Sequence, residues 1–408
     1  VANTFKFIDM VAKEALAEAH EQSALISTVD RQYDDQFARS GAKIGDTLRV
    51  RSPNKFKTRT GNAMEVNDIT EATQNITLAT LEGVDMRFDH VDLTLDTENP
   101  DQVAAFSKRY IRPAMSALVS IVEYNAMAYY AKATYQVAGT AGSPINTLTT
   151  PNLARAKLNQ QLAPKSDRMV QMDSVTMASL TGGVPSYFQP ANQIKDAFTE
   201  GFLARTSMAD YYENERVWTL ANGADVAGEI NGGTISNGMT TITVDGFSAA
   251  PEVGAVFTIG SGSGETKVYD VHPETKQAYS HLKQFVVTSA TTTSITFSPP
   301  IYYDTTDPRQ NVSGIPADNA DIVFVGSAST SYVQPIMYHK EAFQFVTADL
   351  PIVDSADRCV RQTMDGLSLR VWMQSQIKDN ALLCRIDLLH GHAALRPEWA
   401  CRMIGSAN

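Results

Sequence analysis

From about Asn222 to Gln334 the chain changes character, and that change constrains the fold more than any other feature of the sequence. The block is rich in Thr, Val, Ile, Gly and Ser, and it holds the runs "TTITVDGF", "AVFTIG", "TKVYDV", "QFVVTSA", "TTSITFS" and "ADIVFVG", separated by turn residues. About six short strands at such close spacing predict a small β-barrel or sandwich. On either side of the block, helical and strand-like segments alternate. A β domain therefore interrupts an α+β domain that resumes after it.

Upstream, "VANTFKFIDMVAKEALAEAH" carries Phe7, Ile8, Val11, Ala12, Ala15, Leu16 and Ala19 at helical spacing behind Asn3 and Thr4, which predicts an amphipathic N-terminal helix. After "SGAKIGD" the alternating runs "TLRVRS" and "QNITLATLEGVDMRFDHVDLTL" predict a long two-stranded hairpin. Its tip, "PNKFKTRTGNAMEVNDITEA", has no periodicity, and structureless loops beyond about 12 to 15 residues in compact domains tend to be functional or disordered.

Helix is predicted from about Asn99-Pro100, with Pro113 in a first turn and "AMSALVSIVEYNAMAYYAKATYQVA" continuing to Gly139. About 25 residues make a rod of order 35 Å, with few charges, so several of its faces must be covered. Between 150 and 220, helical stretches ("TPNLARAKLNQQL", "ANQIKDAFTEGFLAR") mix with short strands ("RMVQMDS", "RVWTL") around "TGGVPSYF". The mixed pattern returns past 334 with "MYHKEAFQFVTADLPI", "LSLRVWMQSQIKD" and "ALLCRIDLLHGHAALRPEWACRMI".

Composition excludes some functions. A formal net charge of −11 argues against a protein whose main task is to grip nucleic acid, which needs concentrated Lys and Arg. Three scattered cysteines, Cys359, Cys384 and Cys401, make no disulfide framework and fit a reducing, cytoplasmic compartment. The first residues lack a cationic segment followed by an apolar core, and no run approaches the roughly 18 apolar residues of a membrane span. The chain is expected to be neither secreted by the usual route nor membrane-embedded.

Four stretches invite a chemical interpretation. Cys384, His390, His392 and Cys401 are spaced Cys-x5-His-x-His-x8-Cys, which is not a common zinc spacing. A strand would point Cys384 to the face of Ile386 and Leu388, with His-Gly-His at a turn and "EWACRMI" as a second strand. "GSGSGETK" lacks the Gly directly before Lys of a phosphate loop and joins two strands, so it reads as a flexible hairpin loop. "HKE" at 339 to 341 lacks the Pro-Cys-x-x-Cys of a zinc deaminase. The fourth stretch is the basic run of Arg49, Arg51, Lys55, Lys57 and Arg59, with no acid between them, ahead of Glu65, Asp68 and Glu71 in the same loop. It is either a solvated loop or a segment that docks on the acidic surface of a neighbouring copy. No catalytic residue, cofactor site or metal site is nominated.

The order of these elements, together with three stretches, resembles the major capsid proteins of tailed double-stranded DNA bacteriophages. The stretches are Leu383 to Ile386 with Gly391, Ala394 and Arg396 to Glu398; Ala342, Phe343 and Pro351 within "MYHKEAFQFVTADLPI"; and "VEYNAMAYYAK" at the end of the long helix. Within that family the chain looks most like the short-tailed Salmonella phage coat group. The resemblance implies an α+β Hong Kong 97 capsid fold with an inserted antiparallel β-barrel. It divides the chain into an N-terminal arm and helix (1–42), an extended hairpin loop (43–98) and the spine helix of a peripheral domain (99–149). An apical domain (150–221) follows, interrupted by the barrel (222–334) and completed on its return (335–375), before the peripheral domain's closing strands (376–408).

It further implies a non-enzymatic shell protein of the virion, without cofactors, assembled in the host cytoplasm as pentamers and hexamers of an icosahedral capsid. Its partners would be further copies of itself, a scaffolding protein, a portal protein, packaged double-stranded DNA bound without sequence specificity, and cement proteins in some shells. A membrane is not among them. The alternative class is an oligomeric carbohydrate-binding or carbohydrate-processing protein whose β-rich insert is the recognition module.

Overall fold

The computed structural model describes residues 24–31, 47–51, 53–56, 61–62, 73–78, 80–89, 107–183, 209–232, 235–260, 267–352, 357–364, 367–378 and 381–406. The N-terminal helix expected over residues 3–20, most of the hairpin tip, the helix expected over 191–205 and the glycine-rich loop at 261–266 lie outside them. Two compact units emerge, one drawn from 1–50, 73–126 and 344–393, the other from 51–72, 127–343 and 394–408.

In chain order, β1 (Thr47–Arg51) and β2 (Thr73–Thr77) form a two-stranded ribbon. The second alternating run breaks after β2, and its longer part, β3 (Thr80–Asp89), pairs antiparallel with a strand almost three hundred residues later. The predicted hairpin is therefore only the ribbon's length. The long helix α1 (Arg112–Ala133) follows a π-helical turn at Ser107–Ile111 and carries Pro113 in its first turn. It stops six residues short of Gly139. Thr134 turns its hydroxyl back onto the Tyr130 carbonyl, and the β-prone residues beyond it pass into β4 (Val137–Ala138).

The α/β part of the second unit holds α2 (Thr149–Gln160), β5 (Arg168–Met172), α3 (Ser174–Gly183), β6 (Asp210–Glu213) and β7 (Thr219–Ala221). Pro151 sits in the first turn of α2, and Pro151, Ala154 and Leu158 form its buried stripe. The helix α3 and strand β6 were not expected from sequence. Their short, weakly periodic segments carry little signal.

The barrel comprises β8 (Ala227–Ile230), β9 (Met239–Asp245), β10 (Val256–Ile259), β13 (Gln284–Ala290), β14 (Ser294–Ile301) and β15 (Asp321–Phe324), closed in the order β10-β13-β14-β9-β8-β15 with antiparallel pairings throughout. Five of the six predicted runs are staves. The sixth, "TKVYDV", instead holds β11 (Tyr269–Val271), which pairs with β12 (Ala278–Leu282) in a side hairpin. Since β10 and β11 pair with different strands, the loop between them is not a hairpin loop. The stave missing from the sequence reading is β8, "AGEI". Its Gly228 spoils the strand pattern because a Cβ there would stand 2.3 Å from the Phe247 ring.

Inside the barrel, Phe257 packs against Phe285, Phe297 and Phe324 with ring centroids 5.4–5.9 Å away, and all four rings are buried. Outside, Thr241 and Thr243 alternate with the buried Ile242 and Val244, the period of two that a half-buried strand imposes.

On the return, β16 (Ser331–Val333) pairs with β7, so the chain leaves and re-enters through one narrow two-stranded neck. The strand β17 (Ile336–His339) then completes a five-stranded mixed sheet, β4-β22-β17-β5-β6, with β22 (Ala400–Met403) as the last strand of the chain. In the other unit, β18 (Phe343–Ala348), β19 (Arg358–Met364), β20 (Leu367–Gln376), β21 (Ala381–Ala394) and β3 make the second sheet, in which β3 and β20 both pair with β21. On α1, Met115, Leu118, Val119 and Val122 are buried, and with Ile26, Leu367, Leu369 and Leu388 they line one narrow apolar cleft.

Candidate assembly surface

The ribbon is poor in core. In β1 the burial pattern alternates, so Thr47, Arg49 and Arg51 share the exposed face while Leu48 and Val50 are only half-buried. In β2 only Ile76 is fully buried. Two strands with so little apolar burial are marginal in water without something packed against them. The structure thus brings two of the five predicted basic residues, Arg49 and Arg51, onto one strand face and leaves Lys55 exposed just beyond it. Lys57 and Arg59 lie outside the described residues.

A second surface escaped the sequence reading. Ala117, Ile121 and Tyr124 lie along the exposed side of α1, and Ile121 and Tyr124 keep 47% and 44% of their surface open. Spacings of four and three residues put them on one helical stripe opposite the buried one. The few charges of the rod predict that several of its faces are covered. Within its own unit this stripe is not. Apolar residues occupy both sides of the helix, so periodicity alone could not tell which side its own chain would bury.

The Cys/His cluster resolves into ordinary structure. Cys384, His390 and His392 all sit on one unbroken strand, β21, whereas Cys401 sits on β22 in the other sheet. The histidines were expected at a turn between a closing strand pair. Instead the strand runs straight through Gly391, and the chain turns only at Pro397–Trp399. Cys384 shares its buried side with Ile386 and Leu388 as expected, and burial pushes its thiol up to about 12 and that of Cys401 to about 11. Neither is a ready thiolate. Burial, followed by the neighbouring His390, pushes His392 down to about 3.

His390 is fully buried beneath Phe345, with ring centroids 5.8 Å apart, and its Nε2 lies 3.2 Å from Oε2 of Glu82 on β3. The other carboxylate oxygen of Glu82 accepts from Asn125 Nδ2 on α1 at 2.6 Å. Burial raises the Glu82 carboxyl, but the hydrogen bond and charge of His390 and the Asn125 amide outweigh it and leave it below its usual range. One carboxylate therefore ties β3, β21 and α1 together.

At "HKE", His339 Nδ1 accepts from the Glu341 backbone N–H, which makes the imidazole a cap for a short 3₁₀ turn. Among the described residues no three His, Cys, Asp or Glu side chains are grouped to hold a metal. The described residues present a basic strand face, an apolar helix stripe and a closed barrel.

A family model described as "P22 coat protein - gene protein 5" matches residues 2–405. Among solved structures, the chain is similar to one from Mycobacterium phage Che8, at 9% identity and a TM-score of 0.48 over 92% of this chain and 89% of that one. It is also similar to the capsid of Ralstonia phage GP4, at 7% identity and a TM-score of 0.47 over 93% and 87%. A third similarity is to the capsid of the cyanophage P-SCSP1u, at 11% identity and a TM-score of 0.42 over 90% and 85%. No curated protein matches the chain in sequence.

Proposed function

Because this chain belongs to the P22 coat protein family and is a structural major capsid protein of the virion, we propose that it has the Hong Kong 97 fold and closes as pentamers and hexamers into an icosahedral shell around double-stranded DNA. The observation that carries this reading is the pairing of two incomplete surfaces on one chain, a core-poor ribbon and an uncovered apolar helix stripe. The ribbon of one subunit would lie on the long helix of its neighbour, and its basic face would meet acidic surface elsewhere on that neighbour. Each such contact is modest, since little surplus remains after the cost of association, and a closed shell sums many of them. A chain of net charge −11 also suits a wall that faces packaged DNA without adhering to it.

In this reading 1–42 is the N-terminal arm, 43–98 the extended loop and 222–334 the inserted barrel; the peripheral domain is the sheet of β18 to β21 and β3 with the first part of α1, and the apical domain is the sheet that β22 joins, so the expected division at 375 moves to the two sheets. A scaffolding protein guides assembly in the host cytoplasm, a portal ring takes one vertex, and cement proteins can add to the finished wall. The chain itself performs no reaction.

Electron microscopy of the expressed chain, with a scaffolding protein where one is required, tests the proposal. Closed shells or capsomers are expected. Discrete small oligomers whose melting responds to saccharides would overturn it in favour of a carbohydrate-recognition protein. Reversing Arg51, Lys55 and Lys57 to Glu should block or weaken assembly while the circular dichroism of the unassembled subunit stays unchanged. Undiminished assembly would remove the docking role from the basic run.

A further inference from the structure

The barrel is seated on the rest of its unit in an unusual way. Its covalent link is the neck, where Thr219, Leu220 and Ala221 pair with Val333, Tyr332 and Ser331. The side hairpin β11–β12 bonds the end of α2, with Gln161 Nε2 donating to Asp270 at 2.9 Å and the Tyr279 hydroxyl donating to the Gln160 carbonyl at 3.1 Å. Beyond these and the neck, the barrel takes Ala131 of α1 into its core and rests on a small apolar contact, Val256 and Val286 with Tyr135, Val137 and Ile404. Around this contact the bonds are polar. The Gln284 side chain accepts from the Val137 N–H at 2.9 Å and donates to the Val137 carbonyl at 3.2 Å, and the ammonium of Lys157 donates to the same carbonyl and to the Gln284 oxygen.

The turn at Gly254 is wedged against α1 and the neck. A Cβ there would stand 2.9 Å from both Lys132 Cγ and Trp218 Cη2. Its carbonyl accepts from Arg402 Nη1 at 2.8 Å. Arg402, on β22, is fully buried, and among the described residues its Nε and Nη2 have no hydrogen-bond partner and no carboxylate pairs with it. Burial pushes its guanidinium down to about 9.

A buried cation without a counter-ion opposes the burial that surrounds it. Removing such a charge from a core in favour of apolar atoms of similar volume is often neutral or stabilising, whereas breaking a compensated pair is not. Closing the barrel onto β22 dehydrates Arg402, and parting the two surfaces would return it to water. The apolar contact and the guanidinium therefore pull in opposite directions across one small interface.

We propose that the barrel's seat is a releasable joint, hinged at the β7–β16 neck, in which buried Arg402 offsets the apolar contact so that the barrel can tilt as a body without unfolding. The use of such a joint, to let the barrel take up different settings as neighbours close around it, rests on the capsid reading. The joint itself does not.

Amide hydrogen exchange on the full-length unassembled subunit, beside its melting midpoint, tests it. Arg402→Met keeps the length of the side chain and removes the charge. The expected result is a midpoint raised by about 2–4 °C and slower exchange at Val137 and Val256, with unchanged protection of barrel-core amides such as Phe257 and Phe285. A lowered midpoint with faster exchange at all four amides would overturn the proposal and leave Arg402 as a simple structural tie. A second variant, Val286→Ala, trims the apolar side. It should speed exchange at Val137 and Val256 while Phe257 stays protected. Loss of protection at Phe257 to the same degree would show that barrel and seat open only together, which also refutes the joint. Neither outcome depends on whether shells form.

Discussion

Replacing Asp270 with Asn probes the charged root of the barrel, because that carboxylate is buried among groups whose contributions are separable. Asp270 Oδ1 lies 2.8 Å from Lys283 Nζ, its Oδ2 accepts from Gln161 Nε2 at 2.9 Å, and His281 Nε2 is 3.5 Å away. Burial alone would raise its pKa, but the charge of Lys283 and the hydrogen bonds from His281 and Lys283 outweigh that and hold it at about 2, against an ordinary 3.8. At about 1.4 kcal/mol per pH unit, the gap contributes roughly 2 kcal/mol. Because the folded-state pKa is depressed, this stability is fully present above pH 3.8 and is lost as the pH falls towards 2.

Asp270→Asn also strands the Lys283 ammonium, which is only 2% exposed, so the loss at pH 7 should reach about 3–5 kcal/mol. The assay is urea denaturation of the unassembled subunit at several pH values. The difference between wild type and variant should narrow by roughly 2 kcal/mol between pH 5 and pH 2. Parallel curves across that range would refute the assignment of the pH-dependent stability to this carboxylate. Adding Lys283→Met to Asp270→Asn should recover much of the loss at pH 7, since it removes the stranded charge.

Three further outcomes are expected. Phe257→Ala deletes the ring at the centre of the barrel's aromatic cluster and should cost about 3–5 kcal/mol in chemical denaturation. Gly391→Ala places a Cβ 2.2 Å from the Thr77 carbonyl oxygen, so it should lower the melting midpoint and speed amide exchange along β21, whereas His392→Gln at the adjoining position should not do so to the same extent. Glu82→Gln weakens the tie between β3, β21 and α1; the variant should be less stable at neutral pH and should lose less stability than wild type as the pH falls below 4.5, the ordinary value of the group.

The basic strand face and the barrel were legible in the sequence to different depths. The barrel announced itself because alternation is a local property. Ile242 and Val244 must point one way and Thr241 and Thr243 the other whatever the rest of the chain does. Pro113 at the first turn of α1 and the buried stripe of α2 are local in the same sense. Arg49 and Arg51 could be placed on one face from their spacing alone.

By itself, then, the sequence determined the insertion of a β domain into an α+β frame, the long helix, five of the six staves and the basic strand face, all of them consequences of neighbouring residues' sterics and polarity. Tertiary structure decided the rest. Which strand β3 would join, which stripe of α1 would be left bare, that His390 would meet Glu82 and Arg402 would meet Gly254 all depend on residues between about 100 and 310 positions apart. Such pairings are selected by burial and by the competition of whole surfaces for partners, and no periodicity within a single segment records the outcome.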